Sequence, residues 1–89
     1  MFLPLELIEK CVGSHIWVIN KDHREFTALL KGFDDHLNLV LEEATEYERT
    51  EDGWNKTKLD YILLNSKSIA LLVPGGEGPE VEQKPGGES

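Results

Sequence analysis

At 89 residues the chain has room for one small domain with a modest core, so partner contacts or barrel closure would have to supplement its stability. Its 17 acidic against 9 basic side chains give a net charge of −8, the reverse of the basic footprint of a free-standing nucleic-acid binder. A single cysteine, Cys11, excludes an internal disulfide and fits a reducing compartment. No apolar run approaches bilayer length, and the first residues lack a basic flank and carry Glu6 and Glu9. The chain therefore reads as soluble and intracellular, with neither a membrane span nor a secretory leader.

Residues 3–12 predict a short helix, with Pro4 at its first position, Glu6 in its first turn and Gly13 as its stop. Leu5, Ile8 and Val12 would form its buried stripe, with Cys11 beside them as a small apolar residue rather than a reactive thiol. His15 to Asn20 predicts the first strand, apolar on both faces at Ile16, Trp17, Val18 and Ile19 and so in need of cover from the helix or another subunit. Asn20 to His23 is a polar turn in which His23 is solvated. From Arg24 onward, Phe26, Ala28 and Leu30 alternate with Glu25, Thr27 and Lys31, as in a half-buried strand, until Gly32 signals a bulge or bend.

Asp34 and Asp35 are turn formers, and Leu37 to Ala44 predicts the next strand, with Leu37, Leu39 and Leu41 on one face. Glu46 to Thr57 is charged and reads as a connection, with a hairpin signal at Asp52-Gly53 and with Trp54 either capping the barrel rim or exposed for a partner. Lys58 to Leu64 predicts a fourth strand, Leu59, Tyr61 and Leu63 opposing Asp60, Ile62 and Leu64. After a tight connection, Asn65 to Ser68, the run Ile69 to Val73 predicts a fifth strand with no polar residue. A domain over 1–74 would then give way to a disordered acidic tail over 75–89, rich in Pro, Gly and Glu with Val81 as its one larger apolar side chain. Glu77, Glu80, Glu82 and Glu88 against Lys84 in that tail leave the first 73 residues near −5.

Function concentrates in Asp34-Asp35-His36-Leu37-Asn38. In a loop between strands, alternate residues can point the same way, so Asp34, His36 and Asn38 can be presented together. The Asn38 carboxamide carries a donor and an acceptor, matching the O4 and N3–H of a uracil, while His36 offers a ring for stacking and Asp34 can hold the amide in one orientation. Turn chemistry alone would also account for these residues; the wider spacing decides between the two.

Glu25-Phe26-Thr27-Ala28-Leu29-Leu30-Lys31-Gly32-Phe33-Asp34, then Asn38-Leu39-Val40-Leu41 and Glu46, resembles the first Sm motif of the Sm and Sm-like (LSm) RNA-binding proteins, with Ala28 where many members have glycine. Residues 3–8 and 72–77 look most like the fifth-subunit branch of the eukaryotic heptamers. The resemblance covers roughly residues 3–80 and implies a mainly β fold: a short N-terminal α-helix on a strongly bent five-stranded antiparallel open barrel, SH3-like, assembled in rings. It implies RNA contact by Asp34, His36, Asn38, Asn65 and Ser66. Asn65 and Ser66 stand where the second Sm motif usually holds an Arg-Gly pair, so a guanidinium that would sandwich the base against His36 is absent.

In the family the fifth strand pairs with the fourth strand of the next subunit, which would use Ile69, Ala70, Leu71 and Leu72 against Ile62 and Leu64. An apolar, uncharged edge of this kind is an association site. The implied partners are other Sm-like subunits in a heteroheptameric ring, U6 small nuclear RNA (snRNA), and oligouridine or deadenylated messenger RNA 3′ ends. The implied processes are pre-mRNA splicing in the nucleus and mRNA decapping and decay in the cytoplasm. A homo-oligomeric ring of the isolated chain is also open.

His15, His23 and His36 lack zinc-site spacing, and the paired acids Asp34-Asp35 and Glu42-Glu43 lack a nucleophile or phosphate cradle, so neither a metal, a cofactor nor an enzyme is expected. Two other functions compete: a structural spacer in the ring whose neighbours make the RNA contacts, and a small SH3-like barrel that binds peptides. The acidic balance favours the first of these, and alone the chain should bind RNA poorly.

Overall fold

The computed structural model describes residues 5–79 of the chain. A short helix, α1 (Leu5–Cys11), precedes five strands: β1 (His15–Asn20), β2 (Arg24–Phe33), β3 (Asn38–Thr50), β4 (Gly53–Asn65) and β5 (Ile69–Pro74), with a 3-10 turn at Ser66–Ser68. They form one antiparallel, bent sheet in the order β4-β3-β2-β1-β5, so β4 and β5 are its edges, as the resemblance implies.

Gly13 ends α1 in a left-handed conformation (φ 89°), its N–H donating to the Leu30 carbonyl at 2.7 Å, and the Leu30 N–H donates back to Ser14 at 3.0 Å. This turn pins the helix to β2. The helix buries Ile8 and Cys11 and packs Leu7 on the core, whereas Leu5 and Val12 are exposed; the expected stripe is therefore shifted, because the helix stops before Val12. Burial also raises the Cys11 thiol above its usual pKa. The core joins Ile8 to Ile16, Val18, Phe26, Ala28, Leu30, Leu39, Leu41, Ile69 and Leu72. Each large aliphatic side chain fully removed from water contributes roughly 1.5–3 kcal/mol.

Two bulges bend the long strands. Glu43 and Ala44 together oppose Ala28, with Glu43 at φ 52°, and farther along Lys31 is the extra residue on β2, next to the predicted break at Gly32. The first adds a residue to β3 and the second adds one to β2, so the register is restored at Gly32↔Val40. The bend also switches parity on β4: Leu59 faces the core, but beyond Asp60 it is Ile62 and Leu64 that turn inward, leaving Tyr61 and Leu63 exposed.

Glu46 to Thr57 is not a connection. β3 and β4 run through it as a hairpin turning at Glu51 and Asp52, with Thr50 Oγ1 donating to the Gly53 carbonyl at 2.8 Å. Cation–aromatic pairs support it, Arg49 at 5.5 Å from the Trp54 ring centre and Lys56 at 5.8 Å from that of Tyr47.

The tail expected from residue 75 also begins differently. Gly75 N–H donates to the His15 carbonyl at 2.8 Å, and the chain then lies as a strap across the outer face of β1 and β2. A Cβ on Gly76 would sit 2.8 Å from Trp17 Cβ, and one on Gly78 would sit 2.8 Å from Thr27 Cγ2. The missing side chains let the backbone lie this close. Residues 80–89 of the expected tail lie outside the described residues.

Candidate nucleic-acid interface

The β2–β3 loop is organised by one carboxylate. Asp34 Oδ1 accepts from the backbone N–H groups of His36 and Asn38, each at 2.9 Å, and Oδ2 accepts from Asn38 Nδ2 at 2.9 Å. Hydrogen bonds from the Asn38 side chain and backbone hold the Asp34 carboxyl below the usual carboxylate range. Leu37 closes the turn at φ 59°, a conformation costing a bulky residue roughly 1–2 kcal/mol. Its carbonyl accepts from Ser66 N–H at 3.0 Å and its side chain packs on the core, which offsets that cost.

From Asp34 a polarity runs through both loops. A carboxylate only accepts, so the Asn38 amide nitrogen faces it, and Asn38 Oδ1 accepts in turn from Asn65 Nδ2 at 2.7 Å. Asn65 Oδ1 then accepts from the Lys67 N–H at 2.9 Å, capping the 3-10 turn. The Asn65 carbonyl also accepts from Ser68 Oγ at 2.8 Å, and its Nδ2 reaches the His36 carbonyl at 3.5 Å. Asn38 keeps one N–H and one lone pair, which can meet a base edge carrying one acceptor and one donor, such as that of uracil.

Of the candidate residues, Asp34, Asn38 and Asn65 thus form one hydrogen-bonded chain. The exposed His36 is tied into it by its backbone N–H and carbonyl. Ser66, 9% exposed, joins through its backbone N–H. Asn65 is engaged in knitting the two loops, a role the sequence hinted at only through asparagine's preference for capping turns.

The edge residues divide by face. Ile69, Leu72 and Leu64 are buried in the chain's own core and Ile62 packs against it, because edge strands still present one face inward. The outward apolar side chains are Ala70 and Leu71 on β5 and Tyr61 and Leu63 on β4, these last two being residues that a uniform alternation would not choose.

Two further clusters escape a reading by sequence neighbours. Arg24 pairs with Asp22 and Glu46, each at 3.0 Å. Burial raises the Asp22 carboxyl, but the Arg24 backbone N–H and guanidinium outweigh it and leave it below its ordinary value. Trp17 Nε1 donates to Glu25 Oε1 at 2.9 Å. Among the described residues there is no group of three or more His, Cys, Asp or Glu able to hold a metal ion, and no helix is long and apolar enough to cross a membrane.

Comparison with known proteins follows the same lines. The "Probable U6 snRNA-associated Sm-like protein LSm5" of Dictyostelium discoideum is 56% identical over 80 residues, 90% of this chain and 82% of the relative. The Pyrococcus abyssii Sm protein, solved in complex with a uridine heptamer, superposes with a TM-score of 0.66 at 27% identity, covering 82% of this chain and 99% of that one. The P. aerophilum SmAP1 heptamer gives 0.64 at 25% identity, covering 83% and 96%. With a match to the LSM domain over residues 6–74 as well, the chain belongs to the LSM domain family.

Proposed function

We propose that this chain is an RNA-binding subunit of a heteroheptameric Sm-like ring whose pore-facing loops hold oligouridine 3′ ends. The carrying observation is the Asn38 carboxamide, oriented by Asp34 on one side and Asn65 on the other, with one donor and one acceptor left over. The uridine heptamer bound by the Pyrococcus relative and the U6 snRNA association of the Dictyostelium relative support the ligand class. The edges of β4 and β5, unpaired among the described residues, with Tyr61, Leu63 and Leu71 exposed, and the heptameric relative support the ring. On this reading the chain is a scaffold rather than an enzyme. It serves pre-mRNA splicing on U6 snRNA in the nucleus and mRNA decapping and decay in the cytoplasm.

A second reading, a spacer that holds its place in the ring while neighbours grip the RNA, is favoured by Asn65, whose side chain is engaged between the loops. Reconstituted rings carrying His36→Ala and Asn38→Ala separate the two. A fall of about tenfold or more in oligouridine affinity supports direct contact, and a loss below about twofold leaves the spacer.

A further inference from the structure

At the end of β3 remote from the Asp34 loop, a cleft of about 360 Å³ opens between the β1–β2 turn and the β3–β4 hairpin, lined by Ile19, Asn20, His23, Glu25, Arg49 and Trp54. Ile19 pairs with Glu25 across β1 and β2, and Arg49 pairs with Trp54 across β3 and β4. Each charged group is held and half free. Glu25 gives Oε1 to the Trp17 indole N–H at 2.9 Å, which leaves Oε2, and Arg49 rests over the Trp54 ring. Although both line the cleft, no ion pair joins Glu25 to Arg49 among the described residues. Asn20 is 7% exposed and its Oδ1 has no hydrogen-bond partner among the described residues. That oxygen is sealed from solvent, so Asn20 closes the floor of the cleft without offering this acceptor to a ligand.

We propose that this cleft is a guanine-binding site, a second base-reading position separate from the uridine loop. The ligand must bring donors to the Glu25 carboxylate, acceptors to the edge of the Arg49 guanidinium, and a flat face to the Trp54 ring on which that guanidinium rests. Guanine alone among the four bases carries adjacent donors on one edge, N1–H and N2–H₂, and adjacent acceptors on the other, O6 and N7. Adenine, cytosine and uracil mix donor and acceptor on the edge that Glu25 would face, and each sets a lone pair against the carboxylate. The volume lies within the range of small-ligand pockets, about 300–1,000 Å³. The proposal assumes that the protein meets RNA but not that the Asp34 loop binds it.

The test is calorimetric titration of the reconstituted ring with GMP, AMP and UMP, repeated with Glu25→Gln, which keeps an oxygen for Trp17, and with Arg49→Gln. GMP should bind at least about tenfold more tightly than AMP or UMP, and each substitution should erase that preference while oligouridine affinity is unchanged. Equal affinity for the three nucleotides, or a GMP preference that survives both substitutions, overturns the proposal. So does a GMP preference lost in the His36→Ala, Asn38→Ala ring, since the two positions would then be one. A selective GMP site in a ring that fails to bind oligouridine upholds it and removes the uridine reading instead.

Discussion

Asn65 Nδ2 donates to Asn38 Oδ1 at 2.7 Å, joining two loops that are 27 residues apart in the chain. The contact makes the orientation of one amide depend on the other, and both depend on Asp34. A polar chain of this kind can be reversed as well as broken.

Asp34→Asn should reverse it. With a donor now available where only acceptors stood, the Asn38 amide can turn over, and the donor and acceptor it presents exchange places. Rings carrying Asp34→Asn should lose about tenfold in oligouridine affinity and gain relative preference for oligocytidine, whose edge carries the opposite pattern. Competition binding with the two homopolymers measures this, and an unaltered uridine preference would count against the Asp34 role.

Asn65→Ala should act mainly on stability. It removes the cap of the 3-10 turn and the link to Asn38, and caps are worth about 0.5–2 kcal/mol. A urea midpoint lowered by a corresponding amount, at constant m-value, is the expected outcome.

Acid should loosen the same loop. The Asp34 carboxyl is held below its ordinary pKa in the folded chain, so its stabilising contribution is complete above the unfolded value and disappears as pH falls through the folded one. Asp22 behaves alike beside Arg24. Amide exchange at His36 and Asn38 should therefore accelerate below the usual carboxylate range, and it should be flat between pH 6 and 8 once the intrinsic base catalysis, about tenfold per pH unit, is divided out.

Gly76→Ala and Gly78→Ala should each lift the strap, because a methyl group at either position would collide at 2.8 Å with the sheet beneath it. Gly78 also sits at φ 94°. Faster exchange of the Gly75 amide and a changed Trp17 fluorescence are expected, with a stability loss on the order of 1 kcal/mol.

Leu71→Lys should reduce assembly without unfolding the subunit, since Leu71 is 45% exposed on the β5 edge. Native mass spectrometry of the variant should show fewer complete rings than the parent chain.

Much of this architecture is legible in the residues alone. The bounds of β1 are written in its apolar run between a glycine stop and a polar turn, whereas the edge positions of β4 and β5 come only from the family resemblance. The long β3–β4 hairpin was not legible. Its stabilising pairs, Arg49 with Trp54 and Tyr47 with Lys56, form across strands, and a charged stretch read along the chain looks like a loop. Parity on β4 is hidden for a related reason, since the bulge at Glu43 belongs to its neighbour β3 and leaves no mark in the sequence of β4 itself. At the loops, the residue types of Asp34, His36 and Asn38 were readable, but the engagement of Asn65 was not, because asparagine advertises both binding and capping.

The two edge strands of the described sheet are unequal: β4 extends over 13 residues and β5 over 6. A neighbour's β5 laid over the exposed Tyr61 and Leu63 would therefore cover no more than about half of β4, and the hairpin end would project beyond it. Lys56 and Lys58 stand on that projecting part, where charge discourages further strand addition. In a closed assembly this surplus would form a fringe of spokes, a surface on which each member of a mixed ring can differ without disturbing the joints that hold the circle together.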